Sequence, residues 1–139
     1  MEKIQFDSGL KSYKLGSGQL RFNPSDPNVY ARFMDACDSF RDIEKALIAQ
    51  AQCLSQEELG TAALTLLQKA DQQMKKLLNQ VYLGNDFDKL LEGVNLLAVA
   101  DNGERVITNL LKALEPVLLA GAKQCAAQAV QSAKAKKQC

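Results

Sequence analysis

At 139 residues with 47% apolar side chains, the chain has the length and composition of one globular domain with a real core. Seventeen Lys and Arg against sixteen Asp and Glu leave a net charge of +1, so no global field draws it to nucleic acid or to an anionic membrane. The lack of any histidine removes the commonest general base, the usual activator of a nucleophilic Ser or Cys, and the commonest metal ligand.

Residues 3–22 carry period-two patterns broken by glycine turns. Ile4 and Phe6 alternate with Lys3 and Gln5, Tyr13 and Leu15 with Ser12 and Lys14, and Leu20 and Phe22 with Gln19 and Arg21. Asp7-Ser8-Gly9 and Gly16-Ser17-Gly18 are turn signals between them. The pattern predicts a three-stranded β-meander or hairpin whose apolar face is Ile4, Phe6, Tyr13, Leu15, Leu20 and Phe22. So small a sheet must pack on something, either the helical body or another subunit.

Asn23-Pro24-Ser25-Asp26-Pro27-Asn28 then separates strand-like from helix-like sequence. Asp26 is an N-cap candidate and Pro27 suits the first helical position, where its missing N–H is not needed. Tyr30, Phe33, Met34, Cys37, Phe40, Ile43, Leu47, Ile48, Ala51 and Leu54 step by threes and fours along one stripe, which predicts a helix to about Gln52. Ser55-Gln56-Glu57-Glu58 has the form of a capping box, so a second helix is expected from Ser55, with Gly60 in its first turn and Gly84 as its left-handed C-terminal cap. The short connection makes residues 27–83 a helical hairpin. Two helices of about 25 residues are longer than the norm for a compact domain, which points to an elongated shape or helical self-association.

Phe87, Leu90 and Leu91 predict a short helix over 86–92, capped by Asn85 or Asp86, and Val94–Ala100 is an apolar extended segment or helical turn. After Asp101-Asn102-Gly103, the stripe Val106, Ile107, Leu110, Leu111, Leu114, Val117 and Leu118 predicts a helix over 102–133, kinked or split by Pro116. The Ala-, Gln- and Lys-rich end over 134–139 is expected to be a frayed tail. The fold class is therefore α+β, mainly α: a small sheet, two long helices, a short helix and a kinked C-terminal helix in a single domain over 1–139.

No constellation of reactive residues stands out. Asp35, Asp38, Asp42 and Glu44 interleave with Arg32, Arg41 and Lys45 at helical spacing, which describes a solvated, salt-bridged face better than an acid/base pair. Asn85-Asp86-Phe87-Asp88 lacks the glycine and closing glutamate of a calcium loop and reads as capping, as do Asp101 and Glu104. Gly16-Ser17-Gly18 lacks the lysine and the strand-to-helix context of a phosphate loop. Lys75-Lys76 reads as an exposed pair, and the basic end has no aromatics to stack on bases. No catalytic, cofactor or metal site is expected, and a small carboxylate enzyme is the least favoured reading. Cys37, Cys53, Cys125 and Cys139 match no zinc spacing and are expected to be reduced, with Cys37 and Cys53 serving as small hydrophobes. No apolar signal core follows Met1-Glu2-Lys3, and the longest apolar run after residue 90, Leu96–Ala100, is far below the roughly 20 residues of a membrane span. A cytoplasmic protein without membrane contact is expected. The stripe Val106, Leu110, Leu114, Val117 and Leu118 has two readings, as core or as a helix-in-groove surface for a partner or sister subunit.

The layout of Ile4-Gln5-Phe6-Asp7-Ser8-Gly9, Tyr13-Lys14-Leu15, Arg21-Phe22-Asn23-Pro24-Ser25-Asp26-Pro27 and Tyr30-Ala31-Arg32-Phe33 resembles tail assembly chaperones of long-tailed, siphovirus-like phages and prophages of Gram-positive bacteria. Leu83-Gly84-Asn85-Asp86 through Leu90, with Asn95 and Asn102-Gly103, is similar to the same group, although a Phe-Gly pair is expected where Leu83-Gly84 stands. The resemblance implies a non-enzymatic protein of the bacterial host cytoplasm. It would bind the helical tape-measure protein, help recruit tail-tube subunits, and be absent from the finished virion. A longer form made by frameshifting near the lysine-rich end is a further implication. The alternative is a helical adaptor, or a phage-encoded effector that binds a host protein.

Overall fold

A computed structural model describes the backbone of residues 1–138 and the side chains through residue 132. The elements are β1 (Lys11–Leu15), β2 (Gly18–Phe22), α1 (Pro27–Gln52), α2 (Thr61–Val81), α3 (Phe87–Leu90) and α4 (Val106–Gln138). The mainly helical class with a small antiparallel sheet is as expected, but the sheet has two strands, not three. β1 and β2 pair with Tyr13 opposite Leu20 and Leu15 opposite Gly18, around the two-residue loop Gly16-Ser17.

The expected first strand is not formed. Asp7 Oδ1 accepts from Gly9 N at 2.8 Å, and Asn23 Nδ2 donates to the Ser8 carbonyl at 2.9 Å. These bonds hold the turn beside the end of β2. Of the predicted apolar face, Leu20 and Phe22 are buried and Tyr13 and Leu15 half-buried, whereas Ile4 and Phe6 are exposed.

Asp26 caps α1 as predicted: its Oδ1 accepts from Asn28 N at 2.9 Å, with Pro27 following at the first helical position. The helical hairpin of α1 and α2 is present, but α2 starts at Thr61, with Gly60 as its N-cap. The capping-box contacts of Ser55 and Glu58 form around a turn instead: Ser55 Oγ donates to Glu58 Oε1 at 2.9 Å and accepts from Glu58 N at 3.3 Å. Gly84 has φ +83°, the left-handed conformation expected beyond α2. Asp86, rather than Asn85, caps α3. Asn85 instead closes the outer edge of β2, its Oδ1 accepting from Arg21 N at 3.0 Å and its Nδ2 donating to Arg21 O at 2.9 Å.

α4 is a single helix through Pro116 and onward through the segment expected to fray. Pro116 and Lys112 both lie exposed, so water can satisfy the carbonyl one turn back that proline leaves without a donor. Its early turns line α1 between Phe33 and Glu44, and Gly121 meets Pro24 just before α1 begins, so the two helices run antiparallel. Beyond Gly121, α4 passes the start of α1, and residues 126–132 are all exposed.

The core lies between these elements. Phe33, Met74, Leu78, Tyr82, Phe87, Leu96, Leu114 and Leu118 are buried at its centre. An aromatic row ties the hairpin to the helices: Tyr13 to Phe22 at 5.2 Å, Phe22 to Tyr82 edge-on at 4.9 Å, and Tyr82 to Phe87 at 5.5 Å between ring centroids. Among the described residues, no helix is long and apolar enough to cross a membrane.

Candidate functional site

The stripe singled out on α4 belongs to the core. Leu110, Leu114 and Leu118 are buried, and Val106 and Val117 are half-buried against the same cluster. The three leucines therefore pack inward, into the cluster that also holds residues of α1 and α2. The surface that does lack cover is at the other end of α1. No residue from Arg41 to Lys69 is buried, although α1 and α2 pack on each other along this stretch. The buried positions stop at Phe40 on α1 and resume at Ala70 on α2. The tip of the hairpin thus extends past the common core as a two-helix finger.

At the tip an open, largely apolar groove of about 670 Å³ is lined by Ala49, Gln50, Cys53, Leu54, Ala62, Thr65 and Leu66. Ile48, Leu59 and Leu64 are exposed on the same finger. The small side chains of Ala49 and Ala62 leave room for close approach, while Leu54 and Leu66 supply apolar walls. Such a groove accepts the apolar face of a helix. The sequence carried one sign of it, an apolar stripe on α1 longer than one core could cover. Cys53, expected to serve as a small hydrophobe, lines this groove and is exposed; Cys37, Cys53 and Cys125 are all free thiols.

A second hollow, about 330 Å³, lies between α1 and α4 over Phe33, Cys37, Phe40, Met74, Ile107 and Leu111, with Arg41, Glu44, Lys112 and Glu115 among its polar lining. Burial raises the Cys37 pKa, against a smaller opposing effect of Arg41, so its thiol stays protonated rather than reactive. Asp38 pairs with Arg41 at 3.5 Å on the exposed face of α1, the solvated arrangement predicted for these acids.

The buried ions lie elsewhere, and sequence reading missed them. Lys75, expected to be exposed, is buried. Its Nζ pairs with Asp71 Oδ2 at 3.0 Å and donates to Asp88 Oδ1 at 2.7 Å. Asp71 Oδ1 also accepts from Leu96 N at 2.8 Å. Burial alone would lower the Lys75 pKa, but the hydrogen bonds and charges of Asp88 and Asp71 outweigh it and raise it. An amine nucleophile needs the opposite shift, so this cluster is a strut joining α2, α3 and the segment before α4. Other polar side chains serve the same end. Arg32 donates to the Val81 carbonyl at 3.1 and 3.2 Å, and Arg105 to the Leu97 carbonyl at 2.9 Å. Asp35 lines a small hollow with Arg32 and Val81, and no cluster of three or more acids and thiols with metal-binding placement occurs among the described residues.

The Tyr82 hydroxyl is buried without a hydrogen-bond partner, and burial, with a smaller contribution from Cys37, pushes its pKa far above the ordinary tyrosine range. Tyr82→Phe is therefore expected to raise stability by about 1 kcal/mol, read as a higher denaturant midpoint, because the unpartnered hydroxyl carries an uncompensated desolvation penalty. The pH dependence has a definite sign. A folded-state pKa raised above the unfolded value means that stability is lost as pH climbs through and beyond the unfolded pKa, about 10 for tyrosine. The wild type should thus weaken at alkaline pH, and Tyr82→Phe should weaken less; an identical alkaline loss in both would contradict this.

No protein-family model matches the chain, and comparison with curated proteins and with solved structures finds no significant match.

Proposed function

We infer that the chain is a non-catalytic phage tail assembly chaperone of the bacterial host cytoplasm, which binds helical segments of the tape-measure protein and helps recruit tail-tube subunits. The observation that carries this reading is the core-free tip of the α1–α2 hairpin, with its apolar groove beside Leu54 and Leu66. A chaperone for a long helical client must offer apolar surface that is stable while empty, and a finger anchored by its own domain does so. The sequence layout around Asn23–Asn28 supplies the choice of client. The same groove in a helical adaptor would take a host protein instead.

The test is co-expression of the full chain with a tape-measure protein from the same phage genome. The client should stay soluble and co-purify. Leu54→Asp together with Leu66→Asp should weaken the complex at least about tenfold, the loss expected from placing charges in an apolar contact. Both positions lie outside the buried core, so the melting temperature should hold. Capture of host protein alone, with no retention of the tape-measure client, would select the adaptor.

A further inference from the structure

The N-terminal segment and β1 each lack what the other could supply. Residues 1–8 are exposed throughout, with Ile4 at 90% and Phe6 at 82% of full exposure, and they join no ladder. Two large apolar side chains at alternate positions of an extended segment form a ready strand face. β1 has one partner, β2. Leu15 and Gly18 flank a two-residue loop, so Leu15, Tyr13 and Lys11 turn their backbone groups toward β2, and Ser12 and Lys14 turn theirs outward. The same alternation directs Arg21 outward on β2, where Asn85 meets both of its backbone groups. No counterpart of Asn85 covers β1 among the described residues. An unblocked edge beside half-buried Tyr13 and Leu15 invites strand addition.

The arm of the same chain is badly placed to fill that edge. The bond from Asn23 Nδ2 to Ser8 O seats the turn beside the end of β2, on the far side of β1 from its open edge. Gly9 has φ +75° and lies so close to Asn23 that an added Cβ would stand 2.6 Å from Nδ2, so this turn needs glycine. A tight hairpin within one chain, with Phe6 opposite Lys11, would also set Lys3 opposite Lys14, a destabilising like-charge pair. A strand arriving from another molecule is free of that register. Phe6 opposite Tyr13 places Ile4 opposite Leu15 and Gln5 opposite Lys14, so apolar meets apolar and the lysine meets a neutral amide.

We propose that the arm Glu2–Phe6 of one copy adds as an antiparallel third strand to the β1 edge of a second copy, and reciprocally, closing a twofold dimer. The interface is isologous, since each copy gives an arm and receives one. It completes the three-stranded sheet that the sequence pattern encodes, with the first strand supplied in trans. This interface uses none of the hairpin-tip groove and stands or falls apart from the chaperone reading.

Light scattering coupled to size exclusion, run on the full chain over a wide concentration range, should give a species of twice the 15.2 kDa chain mass. The full-length Ile4→Gln/Phe6→Gln variant should return to a single chain mass with unchanged helical circular dichroism and melting temperature, because neither side chain enters the core. In a mixture of a Gln5→Cys chain and a Lys14→Cys chain, mild oxidation should join the two introduced thiols, as mapped by peptide mass spectrometry. A wild type of single-chain mass throughout, a dimer that survives the Ile4 and Phe6 substitutions, or a mixture without that cross-link would each overturn the proposal.

Discussion

Gly121→Ala is expected to destabilise the fold by about 2 kcal/mol, within the range for forcing atoms into a packed site. The sign is the informative part. In an exposed helix interior the same substitution gains about 1 kcal/mol, because alanine restricts the unfolded chain and favours helix. At Gly121 a Cβ would overlap the carbonyl group of Pro24 and lie 2.9 Å from Ser25 N. Those are backbone atoms of buried Pro24 and half-buried Ser25, in a segment tied by Asn23, whose Oδ1 accepts from Ser25 N and Oγ, both at 2.9 Å. No side-chain rotation relieves the contact; α4 or the Pro24-Ser25 strap must move. Gly60 is the control, since nothing lies within 4 Å of a Cβ there; as the N-cap of α2, where glycine is preferred to alanine, Gly60→Ala should lose some stability but well below the Gly121→Ala loss. At roughly 2–4 °C per kcal/mol for domains of this size class, thermal melts separate the two outcomes. A Gly121→Ala protein as stable as wild type would show that the strap is not seated on α4.

That contact ties the polar junction to the far end of the chain, and it illustrates what could be read in advance. Asp26 and Pro27 were legible because a helix start is local: the cap, the proline and the first turn are neighbours in sequence. The long stripes of α1 and α4 were legible for the same reason. Ile4 and Phe6 followed strand periodicity, but a strand needs a partner, and alternation does not name one. Pro116 signalled a local break; the helix continues because its exposed position lets water replace the lost donor. The Val106–Leu118 stripe was ambiguous between core and docking surface because an apolar helix face looks the same in either role. The hairpin tip was hidden for a related reason: Leu54 and Leu66 extend the apolar pattern without a break, and only the third dimension reveals that they stay half-buried beyond the last buried positions of the core. Lys75 was misread because half of its pairing is non-local. Asp71, one turn earlier, is visible by spacing, whereas Asp88 arrives from α3.

Asp71→Ala is expected to cost about 3 kcal/mol, the low end of the range for breaking a buried ion pair by removing one partner. Two groups lose their acceptor at once. Lys75, whose side chain is 6% exposed, keeps only Asp88, and Leu96 N loses the carboxylate oxygen 2.8 Å away. An unsatisfied buried N–H alone costs about 1–3 kcal/mol. Asp88→Ala should cost less than about 1 kcal/mol, because Asp88 is 65% exposed and water screens its pair. Asp71→Asn separates the two contributions: its amide oxygen can still accept from Leu96 N while the charge that balances Lys75 is gone, so its loss should fall between those of the two alanine variants. A buried pair is not in itself a large source of stability, since its attraction offsets its desolvation. The double variant Asp71→Leu/Lys75→Met should accordingly be more stable than Asp71→Ala, although it removes more polar contacts. Equal losses for Asp71→Ala and Asp88→Ala would place the strength of the strut at the solvent-facing pair. The expected order, with Asp71 well ahead, makes α2 the anchor that holds the segment before α4 in place, and through it the helix that Gly121 locks to the junction.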